Sequence, residues 1–453
     1  MKLRIVLTTL LLALVLQLQA QWNVPTHIEP IQAPFDMPQL YRPTFAAYKV
    51  NIRKIGAKIG KLSTKAIQRA IDKVSNHGGG HVIIPAGKWY TGRLILKSHV
   101  DLHLETGAEL HFSGRIADYL PVVATRNEGV DLYSLGAMIY ANGTENIAVT
   151  GKGKLVAPDI DCELMQHTMQ GVSEELQQMK MEERIFDGQK KHTIDHQEKA
   201  EICLPTFFGP VNSRNVLLEG VTLERSVFWN IVPVYCENII IRDVTVNSFG
   251  HARTDGIDFD SSRNGLVEYT TLDCGDDCFT LKSGRGMDGV KRNRPTENIV
   301  IRHCKVVNAA GGFTIGSETA AMIRNVYVYD IEMEHPRFAL YFKSRRPRGG
   351  GAENVWMENI HAKQTKYTAI KWDLLGSPEY VGKLAERFAV KEPNALTPKF
   401  RNIHFKNITI DNCPTLIKMV GLPEQPIEQV TYENVKGSSM ETILQDAGTV
   451  SFK

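Results

Sequence analysis

The sequence predicts an all-β chain wound as a parallel solenoid, with a helix closing its N-terminal end. Three observations carry this: one short phrase recurs at coil-length intervals, no helical pattern separates its copies, and an amphipathic segment stands just ahead of the β-rich region. The phrase is a turn residue, Asn, then β-branched or aromatic residues. It occurs as Glu145-Asn146-Ile147, Arg214-Asn215-Val216, Asn238-Ile239, Asn298-Ile299, Asn325-Val326, Asn354-Val355 and Asn402-Ile403, with a weaker copy at Asn264-Gly265. From Asn215 to Asn354 the spacings are 23, 26, 34, 27 and 29 residues. Each period adds one rung to several parallel sheets, and an Asn at a repeated corner can bond the Asn above and below it. A sandwich with incidental Asn turns would not keep that spacing.

A solenoid must cover its open end, because an unpaired strand edge recruits other chains. Thr64 to Val74 supplies the cover. Ala66, Ile67, Ala70, Ile71 and Val74 recur at helical spacing behind Ser63 or Thr64 as N-cap, and Gly78-Gly79-Gly80 stops the helix before a first strand at His81–Ile84. Two stretches break the rhythm, about 162–200, rich in Glu, Gln, Lys and Met, and about 378–399. Insertions of this kind project as loops over a binding face, whereas a charged run can also be a solvated helix.

Residues 1–20 stand outside the fold. Lys2 and Arg4 precede an apolar run from Ile5 to Val15, and Gln19-Ala20-Gln21 follows, which reads as a secretory signal peptide. The expectation is an exported chain, periplasmic or extracellular, with residues 21–453 forming one domain and no membrane span. Hydrophobic residues make up 43% and charged residues 23%, which excludes a disordered chain. Lys and Arg total 53 against 50 Asp and Glu, so nothing marks a nucleic-acid partner, and a monomer is expected. Seven cysteines form no even framework, none has zinc spacing, and no metal or cofactor is expected.

The chemistry concentrates between residues 253 and 344. Asp255 lies 21 residues before Asp276, about one coil, so the two fall on adjacent rungs about 4.8 Å apart, with Asp277 beside them. Carboxylates gathered in this way repel and raise at least one pKa, the arrangement glycoside hydrolysis needs: a protonated acid for the leaving oxygen and an ionised partner for water. A plain Gly-Asp-Asp turn and a calcium site are the competing readings.

The segments Thr254-Asp255-Gly256-Ile257-Asp258, Gly275-Asp276-Asp277, Gly311-Gly312-Phe313-Thr314-Ile315-Gly316-Ser317-Glu318 and Phe342-Lys343-Ser344 resemble the polygalacturonase-like glycoside hydrolases of family 28. The resemblance runs from Thr64 to the last Asn-Ile coil. It implies a right-handed parallel β-helix hydrolysing galacturonic acid linkages of pectin with inversion and no cofactor. Carried over, it makes Asp276 the general acid, Asp255 and Asp277 the holders and deprotonators of water, and Lys343 a cation facing a substrate carboxylate. Three positions depart from the family pattern: Arg253 replaces an Asn, Ala310 a His and Tyr341 an Arg. Tyr341 and Lys343, two apart on a strand, face the same way, and Phe342 points into the core. A phenol in place of a guanidinium removes a carboxylate clamp and offers a stacking face, which suits rhamnose on the leaving side. The first expectation is therefore cleavage of galacturonate–rhamnose bonds in a rhamnogalacturonan-type polysaccharide. The second is a polygalacturonase on homogalacturonan, with Arg253 restoring the lost cation. A non-catalytic carbohydrate-binding solenoid and a calcium-dependent lyase are the remaining alternatives.

Overall fold

Every recurring Asn sits where the chain turns a corner with the backbone in the left-handed region. From Asn146 to Asn402 the eight φ values lie between +52° and +58°, a conformation Asn tolerates better than any β-branched residue. In the computed structural model, which describes residues 23–168, 173–182, 201–376 and 378–453, these corners stack. Each Asn donates its amide N–H to the side-chain oxygen of the Asn one rung earlier, from Asn215 to Asn146 through Asn402 to Asn354, at 2.6–3.2 Å. Five residues beyond each Asn lies a second left-handed corner, held by Gly151, Gly220, Asp243, Tyr269, His303, Asp330, Asn359 and Asn407. Its last rungs form their own ladder, Asn359 to Asp330, Asn407 to Asn359 and Asn434 to Asn407.

Between the two corners the strands pair in parallel and in register, so that apolar residues form columns through the core. One column runs Leu218, Ile241, Val267, Ile301, Val328, Met357, Phe405 and Tyr432, all nearly without solvent contact. Toward the C-terminal end aromatic rings take over, with Phe342 stacked on Trp372 at 4.0 Å and Phe405 on Tyr432 at 4.6 Å between centroids. The chain is a parallel β-helix.

Helix Thr64–Asn76 covers the N-terminal end and buries Ala66, Ile67, Ala70, Ile71 and Val74, the residues the spacing selects. Two details differ from expectation. Ser63 holds the cap position, but its hydroxyl donates to the carbonyls of Lys58 and Lys61 instead of accepting from the helix. The strand Gly80–Ile84 is not the first, because Lys49–Asn51 pairs with it from the other side.

A third row of strands makes the surface on which the site is built. Leu94–Ile95, Ala137–Asn142 and Thr206–Val211 pair in parallel, bridges at Ile231 and Val234 continue the row, and Ile257–Asp260, Phe279–Lys282 and the later rungs complete it. One antiparallel hairpin interrupts the pattern, Val123–Asn127 with Val130–Ser134. Its two-residue turn, Glu128-Gly129, has φ of +47° and +80°, the geometry a tight hairpin needs.

Within the 162–200 insertion, Glu163–Thr168 and Glu174–Glu182 are helical, and Leu176 and Met179 of the second pack on Val130 and Leu132 of the hairpin. The remainder of the insertion (169–172 and 183–200) and the expected signal peptide lie outside the described residues. The contacts divide the chain into residues up to Pro30 and the unit Ile31–Lys453, which carries all the features above. All seven cysteines are free thiols. No described helix is long and apolar enough to cross a membrane.

Candidate active site

Asp255 and Asp277 stand at the entrances of strands Ile257–Asp260 and Phe279–Lys282, which pair Ile257 with Phe279. The peptide N–H of Gly256 donates to the carbonyl of Asp277 at 2.8 Å, locking the two entrances one rung apart. The three carboxylates foreseen in the sequence converge: Asp255, Asp276 and Asp277 each offer an oxygen within 4.8 Å of the others. Asp277 faces Gly311 on the next rung, whose carbonyl accepts from the Cys278 N–H at 2.8 Å. A Cβ at Gly311 would lie 2.1 Å from the Thr314 hydroxyl and 2.7 Å from Oδ1 of Asp277. Only glycine leaves that carboxylate its room.

Burial, then the neighbouring carboxylates, push the Asp255 pKa well above the ordinary value. Asp276 is raised by burial and by Asp277, while Lys343 and the backbone N–H of Arg253 pull the other way; that N–H donates to Oδ2 at 3.1 Å. Asp277 accepts from Lys343 at 2.7 Å through Oδ2, and its Oδ1 is buried with no hydrogen-bond partner. One carboxyl group thus retains its proton to higher pH beside another carrying a fixed counter-charge.

Beneath the cluster lies a network the sequence reading did not single out. Lys282, buried above the Trp229 ring at 4.6 Å, stands 3.6 Å from Asp258 and 3.2 Å from Glu318. Arg348 reaches the other side of Glu318 at 2.5 Å. Both oxygens of Asp258 are buried without a hydrogen bond, and burial raises its pKa. The available signal was alternation: Asp258, Asp260 and Lys282 are charged residues inside strands otherwise fully buried.

Arg253 turns away from the cluster. Its guanidinium pairs with Glu128 at the hairpin tip and lies 4.9 Å from the Phe228 ring, on the rung before Asp255. Burial would raise the Glu128 pKa, but Lys180, Arg253 and Arg285 outweigh it and bring it down to about 2. Arg126 fastens the hairpin beside the site, donating at 2.7 Å to both Asp260 and Asp131. Arg253 precedes strand Ile257–Asp260 and Arg126 binds its far end, so the hairpin and the Glu128–Arg253 pair bridge that strand from end to end.

Tyr341 and Lys343 share a face, with the Lys343 ammonium 4.9 Å from the Tyr341 ring centre, and Phe342 is buried, as the alternation predicts. The Tyr341 ring is not an open apolar face. Lys371, opposite it on the next rung, approaches its hydroxyl at 3.5 Å. Ala310 keeps a backbone role, its N–H donating to the carbonyl of Asp276 at 3.0 Å.

The sequence profile of the glycosyl hydrolases family 28 matches residues 144–445, spanning every rung of the site. The chain belongs to that family. As a family 28 glycoside hydrolase it is similar to a probable polygalacturonase of Vitis vinifera, 26% identical over 386 residues, which cover 83% of this chain and 70% of that one. An exo-poly-alpha-D-galacturonosidase of Dickeya chrysanthemi is 27% identical over 393 residues, 80% of this chain and 62% of that protein. Among solved structures, a hyperthermoactive exopolygalacturonase from Thermotoga maritima superposes with a TM-score of 0.77 at 28% identity, covering 91% of this chain and 93% of the other.

Proposed function

We propose that the protein hydrolyses α-galacturonosyl linkages of pectin. The observation that carries this reading is the convergence of Asp255, Asp276 and Asp277, with Asp276 raised and Asp277 held by Lys343. Protonated Asp276 gives its proton to the glycosidic oxygen as that bond breaks. A water held between Asp255 and Asp277 attacks the anomeric carbon and loses its proton to them. The similar proteins named polygalacturonases support galacturonate as the sugar whose bond is broken. A binding-only solenoid would gain nothing from three repelling carboxylates.

Inversion is the stereochemical outcome the family resemblance implies. One oxygen of each of the three carboxylates lies within 4.8 Å of the others, a proximity compatible with a water held among them. The product anomer decides the matter. Proton NMR of early digestion of homogalacturonan oligomers is expected to show the β-anomer first; an initial α-anomer overturns the assignment of Asp255 and Asp277 to water.

On the leaving side, Tyr341 and Ala310 suit rhamnose as the sequence suggests, but the Lys371 ammonium beside the Tyr341 ring favours a carboxylate. Homogalacturonan is therefore the substrate proposed here. Arg253 is paired with Glu128, so it is not proposed as the replacement cation. Digestion of defined homogalacturonan and rhamnogalacturonan oligomers, read by product mass, separates the two substrates.

The Glu128–Arg253 bridge is proposed to bound the glycone side; the chain is similar both to proteins named as exo-acting and to an endo-polygalacturonase of Pectobacterium parmentieri. The enzyme is proposed to work inward from non-reducing ends, as an exported monomer without cofactor. Oligomers labelled at the reducing end should then shorten stepwise with the label retained on the long fragment.

A further inference from the structure

We infer that Lys371 is the cation that receives the carboxylate of the leaving-side galacturonate, a proposal that rests on the homogalacturonan reading above. The register places it. Thr314, Tyr341, Lys371 and Lys418 occupy one row on successive rungs, running away from the catalytic carboxylates. Side chains of one row share a face, so Lys371 stands one rung beyond Tyr341 along the path of a bound chain.

Its surroundings fix its position without using up its charge. The ammonium lies 4.6 Å from the centre of the Phe338 ring and 4.9 Å from that of Tyr341, and the two rings are 4.8 Å apart. Two aromatic faces hold a cation in place and shield it from water on those sides, while its side chain remains 22% exposed. Its carboxylate neighbour, Asp373, is 3.4 Å away, against 2.7 Å for the pair Lys343–Asp277. Lys343 is therefore committed to the catalytic group, and Lys371 is the looser cation of the two.

Tyr341 completes the contact. The Lys371 N–H points to the phenol oxygen at 3.5 Å, which leaves the Tyr341 hydroxyl hydrogen to be donated elsewhere. An ammonium and a phenol O–H side by side present two donors to one carboxylate, as the forked guanidinium of an Arg would. The lost Arg is replaced by two side chains on neighbouring rungs.

The test is steady-state kinetics on homogalacturonan oligomers, free and methyl-esterified, with Lys371→Met and Lys371→Arg. Lys371→Met should raise KM for the free oligomer by about 10–100-fold, the worth of one charged hydrogen bond, and leave kcat within about 3-fold. Lys371→Arg should recover most of the loss, which a merely structural lysine would not predict. Esterification should weaken the unaltered enzyme more than it weakens Lys371→Met. An unchanged KM in Lys371→Met, or an equal penalty from esterification in both proteins, overturns the proposal. If Lys371→Met does not fold, Lys371→Gln is read by the same criteria. Failure of the unaltered protein to cleave free homogalacturonan while it cleaves rhamnogalacturonan oligomers overturns the substrate reading itself, and is recognised without any variant.

Discussion

At the scale of single residues, the site uses repulsion that the fold must absorb. Asp255 and Asp258 are buried, Asp276 is half-buried beside them, and each has its pKa raised. In the proposed mechanism Asp276 protonates the leaving oxygen, so in Asp276→Asn kcat should fall by about 10²–10⁴-fold while substrate still binds; reducing-sugar kinetics and calorimetric titration with an oligogalacturonate check the two halves. The rate of the unaltered enzyme should fall as pH rises through the elevated Asp276 pKa, because the acid form disappears. The same shifts have a cost in stability. A folded-state pKa above the unfolded value means that the native protein binds the extra proton between the two, so stability declines as pH rises through that window. Asp255→Asn, inactive by expectation, should therefore unfold a few degrees higher than the parent at pH 7, with the gap closing near pH 4. Thermal melts at the two pH values measure this.

At the scale of the element, the unit is the rung, and its corners decide whether it stacks. Asn298 donates to Asn264 and accepts from Asn325, with φ of +58°. Asn298→Ala loses both bonds and places Ala in the left-handed region, a cost of about 2–4 kcal/mol. Asn298→Gly loses the bonds and relieves the backbone, so urea denaturation should rank it between Ala and the parent. The residue just before each corner, the Gln429 corner included, shows a pattern that the sequence reading passed over. Glu145, Arg214, Glu237, Arg263, Glu297, Arg324, Glu353, Arg401 and Glu428 face one another rung by rung in strict alternation of charge. Each such exposed pair is worth at most about 1 kcal/mol. Their value lies in register, because exchanging any rung with its neighbour would set like charges side by side.

At the scale of the whole molecule, a hairpin outside the parallel coils reaches the aspartate cluster. The hairpin Val123–Ser134, backed by helix Glu174–Glu182, brings Glu128 to Arg253 next to the catalytic rung. Glu128→Ala removes the bridge, leaves Asp276 untouched, and should raise the share of internal cleavage; the size distribution of products from long homogalacturonan reports it. Lys180 donates to Glu128 at 2.7 Å, so Lys180→Ala should shift the distribution the same way by a smaller amount.

The sequence by itself determined the repeat, the capping helix and the gathering of Asp255, Asp276 and Asp277. Each is written in local signals: an Asn that tolerates a left-handed corner, an apolar face at helical spacing, carboxylates one coil apart. It also determined that Tyr341 and Lys343 share a face, since alternation along a strand is local. What it left open depends on residues far apart in the chain. Arg253 is fixed by Glu128, 125 positions earlier, and Lys371 reaches Tyr341 from 30 positions later. Whether a cation is free for substrate or held by a carboxylate depends on which rungs and loops are brought beside it. Coil lengths here vary by more than ten residues, so only the stacked structure settles those pairings.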